Sequence, residues 1–407
     1  MPGPGVRKPW QRTVAALHAA VRLCALFVAA IAPAAAQQQS TDPVIVNFRE
    51  YRAALERNDL PAAEKAASAA LAASEAAQGP RTAVLAFNLA NVRLELGDRY
   101  DALAPARTAH ELATSNASSG VDERLASLTL GRAEIAANER AGSRRLINAI
   151  AAAEGDEQLA GDVYSAAVAL GQWALDAEEY NTAENAWRTA ENAANATADP
   201  IYSRAHALTW LGAAIFLRSA NPQEVQTGTR LRRISTPEAQ GASDAFVGAQ
   251  LLLMPAALAE TPPGARLTAG QAAYAQAMAW QGALLARLES LGENREFALP
   301  SNPSSRDIPV PDLRGQCSMR AVNTGREIVY PPEAILRYGA GAVVMHFALE
   351  PDGTVRSRTV AASVPPGPLA EAVDATLDAW QVEKSSSAAA NCRIPSSYYT
   401  VVRFVLR

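Results

Sequence analysis

Residues 170–190 read LGQWALDAEEYNTAENAWRTA, and this stretch decides the fold. Leu170-Gly171 belongs to one helical run, Ala177-Glu178-Glu179 makes a short turn, and a second helical run opens at Tyr180. Ala183, Trp187 and Ala190 are spaced three and four residues apart, so they share one helical face. The arrangement recurs upstream. Residues 88–98 read NLANVRLELGD, and Ala102, Ala106 and Ala109 follow the Gly97-Asp98 turn. Ala63, Ala67 and Ala70 follow the Asn58-Asp59 turn. Turns near 58, 97, 138, 178 and 219 give a period of about 40 residues, extended once more by Thr261-Pro262-Pro263-Gly264. The unit near 138 is degenerate, with Ser143, Ile147 and Ile150 in the small-residue places. Alanine and glycine let paired helices approach closely, and Leu, Tyr and Trp fill the gaps between pairs. Each pair then buries its apolar stripe on the next, which predicts an α-helical solenoid over 44–292. Pro222, Pro237 and Pro255 are expected to divide the last part into shorter helices, before a long capping helix from Arg266 to Leu291.

These units resemble the tetratricopeptide repeat family, carried by NLANVRLELGD and LGQWALDAEEYNTAENAWRTA. The resemblance implies helix pairs that bind a peptide or a partner protein on a concave face. A spacer that only holds the next domain is the alternative.

Composition agrees with a folded chain of several domains. The 407 residues are 49% hydrophobic and 19% charged, and about a fifth are alanine, which excludes a disordered chain. A net charge of −4 argues against a nucleic-acid partner. The first 36 residues are an address. Arg7, Lys8 and Arg12 precede an apolar run from Leu23 to Ile31 and then Ala34-Ala35-Ala36, the order of a secretory signal cleaved between Ala36 and Gln37. Cleavage removes four positive charges and no negative ones, leaving a net charge near −8. The expected location is the periplasm. The alternative is a retained segment anchored in the inner membrane, and membrane contact is expected only in that case. Cys317 and Cys392 then lie in an oxidising compartment and are a disulfide candidate.

Residues 293–325 hold Pro300, Pro303, Pro309 and Pro311 among Ser and Asn, lose all periodicity, and read as a linker. Beyond it the pattern changes. Pro331 and Pro332 open a short helix through Tyr338. Val343–Leu349 and Thr354–Ala361 alternate as two strands around Pro351-Asp352-Gly353, a strong turn signal. Leu369, Val373, Leu377 and Trp380 recur at helical spacing, and Tyr398–Leu406 closes the chain as a third strand. The expectation for 326–407 is a small α+β domain with a three-stranded antiparallel sheet and two helices.

This order is similar to the C-terminal domain of TonB-family proteins. The resemblance rests on Tyr330-Pro331 with Ala334, on Gly341 and VVMHFALEPDGTV (343–355), on Leu369, Ala372 and Trp380, and on VVRFVLR (401–407). It implies binding of outer-membrane receptors by addition of a peptide strand to the edge of the last strand. Tyr399, Val401, Arg403 and Val405 share one face of that strand and are the expected partner-binding residues. Pairing of two copies through the same edge is also open.

Chemistry is sparse. His110, His206 and His346 lie far apart, and no nucleophile elbow, phosphate loop or HExxH occurs. No catalytic residue, metal ligand or cofactor is expected, and the protein is read as no enzyme. Three classes remain: a periplasmic adaptor, a membrane-anchored energy transducer, and a purely structural scaffold. The partners expected are periplasmic or outer-membrane proteins, TonB-dependent receptors among them.

Overall fold

The computed structural model describes residues 42–115, 119–220, 234–262, 265–293, 315–325, 327–329, 331, 340–385, 388 and 391–405. The signal segment with Ala36 and Gln37, Pro222, the greater part of the expected linker, and all but Pro331 of the helix expected from Pro331 to Tyr338 lie outside them. The described chain is mostly helical, with a small antiparallel sheet region near its C-terminal end. It divides into two compact units. One holds the described residues up to Ala177, with Ala196–Ala198; the other holds Glu178–Asn195 and the described residues from Asp199 onward.

The first unit contains seven helices among the described residues: α1 (Pro43–Glu56), α2 (Leu60–Ala76), α3 (Thr82–Leu96), α4 (Arg99–Ser115), α5 (Glu123–Ala136), α6 (Arg140–Ala153) and α7 (Ala160–Asp176). Helices adjacent in the chain pack on each other. The small-residue face is inside, with Ala63, Ala67 and Ala70 of α2 and Ala102, Ala106 and Ala109 of α4 all buried. Recurring left-handed residues punctuate the helices. Asn58, Gly97, Asn138 and Glu178 take φ of 55°, 79°, 63° and 61°, so the 40-residue spacing read from the sequence is also a repeat of backbone geometry. After the first turn Asp59 caps α2, its side chain accepting from the N–H of Ala62 at 3.1 Å.

The second unit begins with α8 (Tyr180–Ala193), α9 (Pro200–Ala220), α10 (Thr236–Ala257) and α11 (Ala269–Ser290). Trp187 is fully buried, 5.4 Å from the His206 ring and 6.2 Å from that of Trp210. The prolines divide this region less than expected. Pro237 falls in the first turn of α10, where it removes no helical hydrogen bond, and Pro255 lies only in the last turn. Helix α9 runs on through Ala220, past the turn expected near 219.

The sheet region differs from its expectation in three ways. Strands β2 (Ala340–Leu349) and β3 (Val355–Val364) form the expected hairpin, and β5 (Ser397–Val405) joins it in the order β3-β2-β5, all antiparallel. A second, two-stranded sheet pairs β1 (Met319–Asn323) with β4 (Trp380–Lys384). Strand β1 therefore lies in the stretch read as linker. The helix expected through Trp380 ends early: α12 covers Pro368–Asp374, a 3₁₀ turn covers Leu377–Ala379, and Trp380 opens β4. The reason is local. The Thr376 hydroxyl donates to the Val373 carbonyl at 2.8 Å, and the Trp380 indole N–H donates to the Thr376 hydroxyl at 3.2 Å. Side-chain bonds of this kind compete with helix continuation, and Trp380 still packs on the same core from the strand.

Strand β2 is buried along its whole length, hence on both faces. Val343, Met345, Phe347 and Leu349 join Leu369, Val373, Val382 and Phe404 in one core. The opposite face, with Ala342, Val344, His346 and Ala348, turns toward α11, which packs on β2, β3 and β5.

Candidate functional site

The alternation of β5 sends Tyr398, Val402 and Phe404 into the core shared with α12. Tyr399, Val401, Arg403 and Val405 take the other face, as their spacing requires. In register, Ala342 pairs with Arg403, Val344 with Val401, His346 with Tyr399 and Ala348 with Ser397. That face is already occupied. The Tyr399 hydroxyl donates to the Ala257 carbonyl at 3.3 Å, and its ring lies 5.1 Å from that of Tyr274 and 4.8 Å from that of His346. The Ser397 hydroxyl reaches the Ala259 carbonyl at 3.4 Å. Gln271 adds its amide to Ala259 at 3.0 Å, and Arg356 donates to the Thr261 carbonyl. The last carbonyls of a helix have no partner within the helix. Tyr399, from a strand far away in sequence, thus caps the end of α10 at Ala257, while Ser397, Gln271 and Arg356 hold the connection that follows it.

A close approach holds the sheet on α11. A Cβ at Gly282 would stand 2.6 Å from Val401 Cγ1 and 2.7 Å from the Ala342 Cβ, so only glycine permits this distance. Farther along β5, Arg403 forms an ion pair with Glu289 at 3.5 Å, both half-exposed. Val405 pairs in register with Ala340 at the strand end. The expected partner-binding residues are therefore brought together on one face, and the structure engages three of them with helices of the same unit. The backbone edge is a separate matter. Strand β5 pairs with β2 on one side, and among the described residues no strand pairs with its other side.

Electrostatics follow burial. Desolvation pushes the His346 imidazole down to about 4 and pushes the phenols of Tyr399 and Tyr274 above their ordinary value. His346 Nε2 lies 3.3 Å from the Ser397 hydroxyl. The other two histidines among the described residues are elsewhere, His110 on α4 and His206 on α9. Among the described residues no group of three His, Cys, Asp or Glu is placed to hold a metal ion, and no helix is long and apolar enough to cross a membrane.

Cys317 and Cys392 are joined by a disulfide with their Cα atoms 4.8 Å apart. Backbone bonds flank it: the Cys317 N–H donates to the Arg393 carbonyl at 2.8 Å, and the Arg393 N–H to the Gly315 carbonyl at 2.7 Å. The bridge ties the approach to β1 to the loop that leads into β5. One further concavity, an open groove of about 340 Å³, lies between α1 and α2. Glu50, Arg57 and Lys65 rim an alanine floor of Ala53, Ala62, Ala66 and Ala69.

Sequence reasoning missed that α11 is a partner of the sheet. The expectation for the helix from Arg266 to Leu291 is only that it caps the helical array, and Gly282, the residue that admits the sheet, carries no periodic signal. No protein-family model matches the chain, and a search of curated proteins returns no match.

Proposed function

We propose that the protein is a non-enzymatic periplasmic adaptor whose helix pairs form a tetratricopeptide-like solenoid that binds one partner, and whose C-terminal sheet, similar to that of TonB-family proteins, takes a strand from another. The strand would come from a periplasmic or outer-membrane protein, TonB-dependent receptors among them. The observation that carries this reading is the outer side of β5, which has no paired strand among the described residues. Unpaired backbone groups along a strand are a template for strand addition. Because Tyr399, Val401 and Arg403, three of the four expected partner-binding side chains, are engaged with helices, affinity would come from the backbone ladder, with selectivity supplied at the rim near Arg403.

Alternate N–H groups along a strand point to opposite edges, so proline at two adjacent positions separates the two edges. Val401→Pro and Val402→Pro are each tested for binding of synthetic extended peptides from receptor N-terminal segments, by calorimetry on the full chain. One variant should stay folded and lose binding, because proline removes a single outward donor. Binding kept by both variants, or seen for no peptide with the parent chain, would contradict strand addition at β5. Periplasmic location rests on the signal-like segment, and N-terminal sequencing of the protein from its native cells tests it: a start at Gln37 is expected, and a retained segment in the inner membrane would favour the anchored transducer.

A further inference from the structure

The docking of the sheet on α10 and α11 buries a titratable group in the middle of the contact. His346 is 2% exposed, at the centre of β2. From β5 it meets the Tyr399 ring and the Ser397 hydroxyl. From β3, Thr359 stands opposite it in the register. The end of α10 contributes the carbonyl of Ala257 and the connection after it that of Ala259, through Tyr399 and Ser397, and α11 contributes Tyr274, through its contact with Tyr399. The charged groups of the seam lie at its ends: Arg356 with Glu260 and Glu350 at one, Arg403 with Glu289 at the other. Burial is what lowers the proton affinity of the imidazole, and among the described residues no ion pair or hydrogen bond joins it to a carboxylate. With Ser397 donating to Ala259, the neutral ring fits as a donor through Nε2. A second proton would create a cation inside the seam with no counter-charge.

We propose that this seam is an acid-sensitive latch, in which protonation of His346 releases the Tyr399, Val401 and Arg403 face of β5 from α10 and α11. The inference rests on the seam alone and holds whether or not β5 takes a partner strand. Its direction follows from the lowered affinity of the docked ring for protons, from 6.5 to about 4. The docked state excludes the proton and the released state accepts it. Docking is therefore at full strength above pH 6.5 and weakens as pH falls, about tenfold per unit down to pH 4. Over that range the opening equilibrium shifts by up to about 300-fold.

Hydrogen exchange on the full chain, corrected for the intrinsic pH dependence of amide exchange, reads this shift. Amides of β2, β5 and α11 should lose protection by up to about 300-fold between pH 7 and pH 4, whereas those of α1 to α7 should change far less. His346→Gln should flatten the loss, which separates the imidazole from the carboxylates of the ion pairs at the ends of the seam. Unchanged protection in the parent chain, or an equal loss in the variant, overturns the latch. If the glutamine variant does not fold, NMR titration of the His346 ring in the parent chain decides: titration well below the ordinary histidine value supports the latch, and titration near 6.5 overturns it.

Discussion

Gly282 sets how closely the sheet approaches α11, because two contacts shorter than van der Waals distance would arise from one added methyl. Gly282→Val should push the sheet from the helix and cost about 1–3 kcal/mol, as overpacking in a dense interior does; chemical denaturation of the full chain measures it. Arg403 gives the opposite case. Its pair with Glu289 is half-exposed on both sides, so Arg403→Ala should change stability by less than about 1 kcal/mol. Loss of partner binding in that variant, with stability unchanged, would assign Arg403 to recognition. Trp187 is fully buried among aromatic rings. Trp187→Ala should cost about 3–5 kcal/mol, read as a lowered transition of the second unit with that of the first unit unmoved.

At the scale of elements, local signals and long-range ones separate cleanly. The turns near 58, 97, 138 and 178 are legible because each is written in a few adjacent residues, and Asn58, Gly97, Asn138 and Glu178 all adopt the left-handed backbone; the turn expected near 219 is not there, since α9 continues through Ala220. The hairpin around Pro351-Asp352-Gly353 was legible for the same reason. Strand β1 was not. Its five residues sit in a stretch rich in proline and serine, and they become a strand only through partners about 60 positions away in β4. Trp380 misled because Leu369, Val373, Leu377 and Trp380 satisfy a helical period over a span too short to exclude a turn followed by a strand. Of the candidate site, the two faces of β5 were readable from alternation. What covers one of them was not, since it depends on a glycine in another element. The Cys317–Cys392 bridge closes a loop spanning 75 positions. Its removal by Cys317→Ser with Cys392→Ser should cost about 4 kcal/mol in the chain-entropy treatment, and thermal unfolding under oxidising and reducing conditions measures that cost.

For the whole molecule, the important result is where the compact units begin and end. The sheet belongs with α8 to α11, so strand, seam and aromatic core should unfold together, separately from α1 to α7. A strand-binding sheet built into a helical unit in this way would not be a tethered module on a free linker. It would present one backbone edge with one face already covered. The most direct test of strand addition is hydrogen exchange on the full chain with and without extended peptides from the N-terminal segments of outer-membrane receptors. Strand addition predicts new protection at alternate amides of β5, those pointing away from β2. Binding with no new protection in β5, or with protection confined to α1 to α7, would contradict it.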